Sequence, residues 1–184
     1  MAFENKLGIT DSAQLAREEE KISKAKAKEL FESGILDSLH PGTYVTLARI
    51  HEFLFDEIYD FAGKMRTVNI AKENFRFAPL MYLQVSLENI DKMPQSSYDE
   101  IIEKYVEMNI AHPFREGNGR SMRIWLDLIL KKELHQVIDW SKVSFFSARI
   151  TLRSGIVPSP SMHKARYCFI SAMLIPQLFR QFRL

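Results

Sequence analysis

The chain has 184 residues, 46% apolar and 26% charged, which is the profile of a soluble globular domain long enough to bury its own core. Seven glycines and seven prolines are few for an all-β protein, and the single cysteine, Cys168, excludes an internal disulfide framework and favours a reducing compartment. The net charge is +2, but all acidic residues lie at or before Asp139, so residues 1–139 sum to −5 and the remainder to +7. No dense basic cluster or basic-aromatic repeat accompanies that tail, so direct nucleic-acid binding is not expected. His40, His51, His112, His135 and His163 show no zinc-ligand spacing, with or without Cys168. The opening MAFENKLGITDS turns polar at once, unlike a signal peptide. The apolar run CFISAMLI is too short to span a bilayer and ends at Pro176, so a cytoplasmic protein without membrane contact is expected.

In chain order, Asp11 or Ser12 can cap a charged helix through AQLAREEEKISKAKAKELFES, stopped by Gly34. A second helix begins near Thr43, with Leu47, Ile50, His51, Leu54, Ile58 and Phe61 on one face. His51 on that face reads as a satisfied core histidine. Between Arg66 and Phe77 the period changes to two, predicting a hairpin with Val68 and Ile70 on one strand, Phe75 and Phe77 on the other, and a turn over residues 71–74. Pro79 opens a third helix, and Ser96 or Ser97 a fourth, whose face of Ile101, Tyr105 and Met108 ends at His112. The next helix, RSMRIWLDLILKK, is apolar nearly all round and belongs at the centre of a bundle. From Trp140 a helix to Ser154, the breaker GIVPSPS and a last apolar segment are expected. The fold class is mostly α, a single domain over 1–184 with one inserted hairpin.

Between these two helices stands HPFREGNGRSMR, residues 112–123. Arg120 and Arg123 share a face of a buried helix and need anionic partners; Asp127 could orient Arg123, and Glu116 is the only nearby acid for Arg120. A phosphate answers that need, because guanidiniums bind its oxygens bidentately and a helix start favours anions. Gly117 and Gly119 let backbone amides face a ligand, Asn118 can donate to a phosphate oxygen, Glu116 suits magnesium, and His112 can act as a general base. Taken singly, each has an ordinary structural explanation: a helix-end histidine, a glycine turn, surface charge.

HPFREGNGR matches the Fic motif HPFx(D/E)GNGR at every specified position and is followed by a second arginine, Arg123. Residues 50–66 and 69–83 resemble that family's upstream helix and "flap" hairpin, and the similarity extends over about residues 25–145, leaving 140–184 as an atypical basic tail. The resemblance implies a Fic-type helical bundle that transfers AMP from ATP to a Tyr, Thr or Ser hydroxyl of a target protein. It implies His112 as base, Phe114 as anchor of the loop, Glu116 as ligand to Mg²⁺, Gly117, Asn118 and Gly119 as the anion nest, and Arg120 and Arg123 on the β- and γ-phosphates. Glycine at 119, where Doc-like relatives have lysine, favours adenylylation over phosphorylation. The flap would receive an extended target segment, with Lys72, Asn74 and Phe75 as candidate clamps, although Phe75 and Phe77 could equally pack on the helices.

The family's inhibitory pattern, (S/T)xxxE(G/N), is not found; SSYDEI has the spacing but not the last residue. A separate antitoxin, or a C-terminal region altered by a frameshift, would account for that and for the acid-free tail. A toxin or regulator is the leading reading. A non-catalytic nucleotide-binding module and a phosphotransferase of the same fold are the alternatives, and a homo-oligomer is compatible with the sequence.

Overall fold

Helix α1 (Ser12–Glu32) starts where the Asp11 carboxylate accepts from the Gln14 N–H at 2.7 Å. It faces inward through Leu15, Glu19, Ser23 and Leu30, and its many charges otherwise face water. The left-handed Gly34 (φ 73°) separates it from the short α2 (Ile35–Ser38). The structure, a computed structural model, describes residues 2–72, 75–138 and 140, together with the backbone of 179–181. The expected helix from Trp140 to Ser154, the breaker and the last apolar segment, and hence nearly all of the basic tail, lie outside the described residues.

Thr43 caps α3 (Tyr44–Phe55), accepting from the Thr46 N–H. Leu47, Ile50, His51 and Leu54 point inward as the spacing predicts. The helix ends sooner than expected, however: Ile58 is fully buried but lies beyond it, in the turns that carry the chain to Arg66. The hairpin is also tighter than the sequence reading. Strands β1 (Ala71–Lys72) and β2 (Phe75–Arg76) pair antiparallel, with Ala71 opposite Arg76 and Lys72 opposite Phe75, so residues 71 and 72 belong to a strand and not to the turn.

Pro79 precedes α4 (Leu80–Asp91), and α5 (Tyr98–Ala111) opens on a capping box in which Ser97 and Glu100 satisfy each other's backbone N–H groups. The ammonium of Lys104, 2% exposed, donates to Met93 O at 3.1 Å and to Gln95 Oε1 at 2.8 Å, closing the end of α4. Burial pulls its pKa below the ordinary lysine value, against the charges of Asp91 and Glu133.

Helix α6 (Asn118–Leu134) lies in the middle, packed on α3 and α5, while α1 packs on α3. Met122, Ile124, Trp125, Leu126, Leu128, Ile129 and Leu130 are all buried, so it is apolar on almost every side, as read from the sequence. Trp125 donates its indole N–H to Thr43 O at 3.0 Å, which locks α6 to the start of α3. After α6 the sequence reading missed a strand: β3 (Gln136–Ile138) pairs antiparallel with the backbone of β4 (Phe179–Gln181). Among the described residues no helix is long and apolar enough to cross a membrane.

Candidate functional site

The motif loop runs from the end of α5 to the start of α6, and its two ends have opposite electrostatic character. His112 closes α5 in the left-handed region (φ 48°, ψ 65°), unusual for a residue with a side chain. Its Nδ1 stands 3.3 Å from Asn109 O, which assigns the proton to Nδ1 and leaves the Nε2 lone pair uncommitted by that contact. The Phe77 ring stacks on the imidazole at 3.8 Å and 17°. Burial depresses the His112 pKa to about 4; the hydrogen bond to Asn109 O works the other way, and the charges of Arg66 and Lys72 depress it further. The imidazole is therefore neutral at physiological pH.

Phe114 is fully buried and stacks on His51, with ring centroids 3.9 Å apart, which fixes the middle of the loop in the core. Asn118 staples the loop to itself: its Oδ1 accepts from Phe114 N at 2.9 Å and its Nδ2 donates to Phe114 O at 2.8 Å. The expected donation of this side chain to a phosphate would fall to its second Nδ2 hydrogen, because the first is used inside the loop. The backbone N–H groups of the first turn of α6 have no carbonyl four residues back within the helix and carry the positive end of its dipole.

Gly117 precedes α6 at φ 76°, and a Cβ there would meet Phe55 Cε2 at 2.5 Å and His51 Nε2 at 3.1 Å, so glycine is required by backbone and by space. Gly119 is different. It is exposed, helical, and among the described residues a Cβ on it would meet nothing nearer than Arg123 Nη1 at 3.8 Å, an ordinary contact. The described residues place no demand for glycine at 119.

The carboxylate of Glu116 is 43% exposed and accepts from Gly117 N at 2.9 Å. His51 holds the same turn from below. Its Nδ1 accepts from Gly63 N at 2.9 Å, so Nε2 carries the proton and donates to Glu116 O at 2.9 Å. Burial lowers its pKa to about 4, opposed by the bond to Glu116 O and assisted by the Arg120 charge. The core reading of this histidine thus stands, with the addition that what it satisfies is the motif loop.

Arg120 does not depend on Glu116, which lies 4.0 Å away. Its guanidinium pairs with Glu19 of α1, donates to Ser23 Oγ at 2.9 Å, and lies over the Phe55 ring at 4.8 Å. The Glu19 carboxylate also accepts from the Tyr59 hydroxyl, whose pKa is driven far upward, mainly by burial. Glu19, Ser23 and Tyr59 are site residues that the sequence reading missed. The available signal was a charged residue at i+4 from Leu15 and i−4 from Ser23, on the buried stripe of α1.

Arg123 lies over the Trp140 ring at 5.8 Å, with its pKa lowered chiefly by burial. Asp127, expected to orient Arg123, instead accepts from Ile138 N at 3.1 Å and Trp140 Nε1 at 2.7 Å, acting on Arg123 as a neighbouring charge. Burial raises the Asp127 pKa to about 6. In the hairpin, Lys72 is exposed and Phe75 half-buried, its ring edge-on to Phe77 at 5.2 Å; Asn74 lies outside the described residues. Phe77 packs on His112, the second of the two roles open to the flap aromatics.

The fold is a helical bundle with a short hairpin beside a histidine-ended helix and two arginines on the first turns of the next. Comparison with known proteins agrees: residues 41–130 match the Fic/DOC family. The chain is 35% identical over 155 residues to protein adenylyltransferase VbhT of Bartonella schoenbuchensis, covering 76% of this chain and 30% of that protein. It thus spans less than a third of VbhT. It is 29% identical over 174 residues to the probable protein adenylyltransferase Fic of Salmonella typhimurium, covering 88% of this chain and 83% of the relative. Among solved structures, the N-terminal FIC domain of Bep8 from Bartonella sp. 1-1C superposes with a TM-score of 0.76 at 17% identity, over 96% of this chain and 92% of that one. BepC from Bartonella tribocorum, with bound AMPPNP, superposes at 0.65, also at 17% identity, over 98% and 93%. The chain belongs to the Fic/DOC family.

Proposed function

We propose that this chain is a protein adenylyltransferase that moves AMP from ATP to a hydroxyl of a target protein. The observation that carries the reading is the neutral His112, with its Nδ1 directed at Asn109 O, at one end of a loop whose other end offers helix amides and two arginines. In this reading Nε2 takes the proton from a target Tyr, Thr or Ser hydroxyl. The hydroxyl oxygen then bonds to the α-phosphorus, the bond to the α–β bridging oxygen breaks, and pyrophosphate leaves. Arg120, Arg123 and the first-turn N–H groups, Gly119 among them, neutralise the phosphate charge, so the work is positioning and electrostatics. Glycine at 119 fits a ligand's approach: no contact among the described residues needs it, and an exposed glycine in a helix costs about 1 kcal/mol relative to alanine.

Mg²⁺ fits the donor set. Among the described residues no group of three or more His, Cys, Asp or Glu could hold an ion by themselves, whereas Glu116 presents one partly exposed carboxylate at the loop. Magnesium takes such a site, with one or two carboxylates and the rest of its shell from water and phosphate oxygens. Bound there it would supply further neutralisation of the triphosphate. The flap would receive an extended target segment along its edge, with Lys72, Asn74 and Phe75 as the candidate clamps. The names of the similar proteins, a protein adenylyltransferase in one organism and a probable protein adenylyltransferase in another, support the activity.

The test is incubation with Mg²⁺ and cell lysate, using ATP labelled at the α-phosphate in one arm and at the γ-phosphate in the other. Label on protein from the α position, lost in His112→Ala, is the expected result. Label from γ only would replace adenylylation by phosphorylation, and no transfer from either, with ATP bound, would leave a nucleotide-binding module.

A further inference from the structure

We infer that Arg66 is a positioning residue that joins the flap hairpin to His112, so that the element receiving a target and the group taking its proton are held as one body. The inference rests on the reading of His112 as base given above. Arg66 lies in the turns after α3 and is 1% exposed. Its guanidinium is spent on backbone carbonyls from separate parts of the chain. Nε donates to His112 O at 2.9 Å and Nη2 to Ala111 O at 3.2 Å, both at the end of α5. Nη1 donates to Val68 O at 2.7 Å and Nη2 also to Ala78 O, and these two carbonyls flank the hairpin on its entering and leaving sides.

Neighbouring contacts close the same unit. The Arg66 N–H donates to Pro113 O at 2.7 Å, the Ala78 N–H donates to Ile110 O at 2.9 Å, and Phe77 stacks on the imidazole. The carbonyls at the end of α5 are ones that the helix cannot satisfy itself. A cation beside them is favoured by the helix dipole, and only a planar fork can reach both α5 and the two flanks of the hairpin at once. His112 needs such support, because its left-handed backbone is disfavoured for a residue with a Cβ. Arg66 touches no reacting atom; it acts through the backbone that aims the imidazole.

A merely structural residue would lower nucleotide binding and fold stability together, whereas this role separates nucleotide binding from transfer. The full chain is compared with Arg66→Lys, which keeps charge and stem but lacks the fork, and with Arg66→Met. Three quantities are read: ATP·Mg²⁺ affinity by calorimetry, AMP transfer from α-labelled ATP to lysate proteins at saturating ATP, and amide exchange along the chain. In Arg66→Lys we expect transfer to fall by about tenfold or more while ATP affinity stays within about threefold, since misaiming a base costs rate and not ground-state binding. Exchange should rise together at 68–78 and 110–113 and stay unchanged through α6.

Unchanged transfer, ATP affinity falling in step with transfer, an exchange rise confined to one of the two segments, or failure of both variants to fold would each overturn the inference. The underlying reading is tested separately. Wild-type transfer by His112→Ala would remove the base, and this inference with it. Wild-type transfer by Arg66→Lys beside an inactive His112→Ala would remove the inference alone.

Discussion

Lowering the pH should loosen the motif loop through His51, and the size of the effect follows from its burial. The imidazole is fully buried and neutral, with a pKa of about 4 against an ordinary 6.5. Between those values the unfolded chain binds the proton and the folded chain does not. Stability from this group is therefore complete above pH 6.5 and lost progressively as pH falls from 6.5 through about 4. At about 1.4 kcal/mol per pH unit the full contribution is about 3 kcal/mol, of which about 2 kcal/mol is gone at pH 5. His112 titrates with the same sign, so wild-type data alone would mix the two. Urea unfolding of wild type and His51→Gln at pH 7.5, 6 and 5 isolates the term, because the glutamine amide can still accept from Gly63 and donate to Glu116 O but does not titrate. The advantage of wild type over the variant should shrink by about 2 kcal/mol between pH 7.5 and 5. Parallel stability curves, within about 0.5 kcal/mol, would refute the assignment of a neutral buried imidazole at position 51.

The two glycines of the loop should respond oppositely. Gly117→Ala drives a Cβ to 2.5 Å from Phe55 Cε2 in a left-handed backbone, and should cost about 2–4 kcal/mol in urea unfolding; a loss below about 1 kcal/mol would show that the loop relaxes. Gly119→Ala meets only Arg123 Nη1 at 3.8 Å and should raise stability by up to about 1 kcal/mol while weakening ATP binding, measured by calorimetry; unchanged affinity would deny a ligand at that surface. Glu19→Ala strips Arg120 and the Tyr59 hydroxyl of their shared partner. Arg120 is 29% exposed, so the loss should be nearer 2 than 5 kcal/mol by the same assay, and a neutral outcome would mean that the pair is solvated.

What was legible in the sequence was whatever depends on near neighbours. Caps at Asp11, Thr43 and Ser97 and the all-round apolar α6 are local, and each appears where the residues place it; the change of period before Phe77 announced a hairpin, though not which residues pair in it. The matching HPFREGNGR likewise announced the family, and the structure gives a local reason for two of its letters, the left-handed Gly117 and the buried Phe114. The failures share a cause. The extent of α3, the register of the hairpin and the pairing of β3 with β4 are settled by which partner strand or helix closes the backbone hydrogen bonds, and sequence spacing does not reveal that.

The sequence by itself determined which residue types stand in residues 112–123: a base, an acid, two glycines and three arginines. Only the tertiary structure decided what each is bound to. Glu19 reaches Arg120 across 101 positions, His51 reaches Glu116 across 65, and Arg66 reaches His112 across 46. Such partners meet because α1 packs on α3, and α3 and α5 pack on α6, and in the low dielectric created by that packing a buried donor left without an acceptor would be costly. The same packing takes the two imidazoles to a pKa of about 4, a value no reading of composition or spacing could supply.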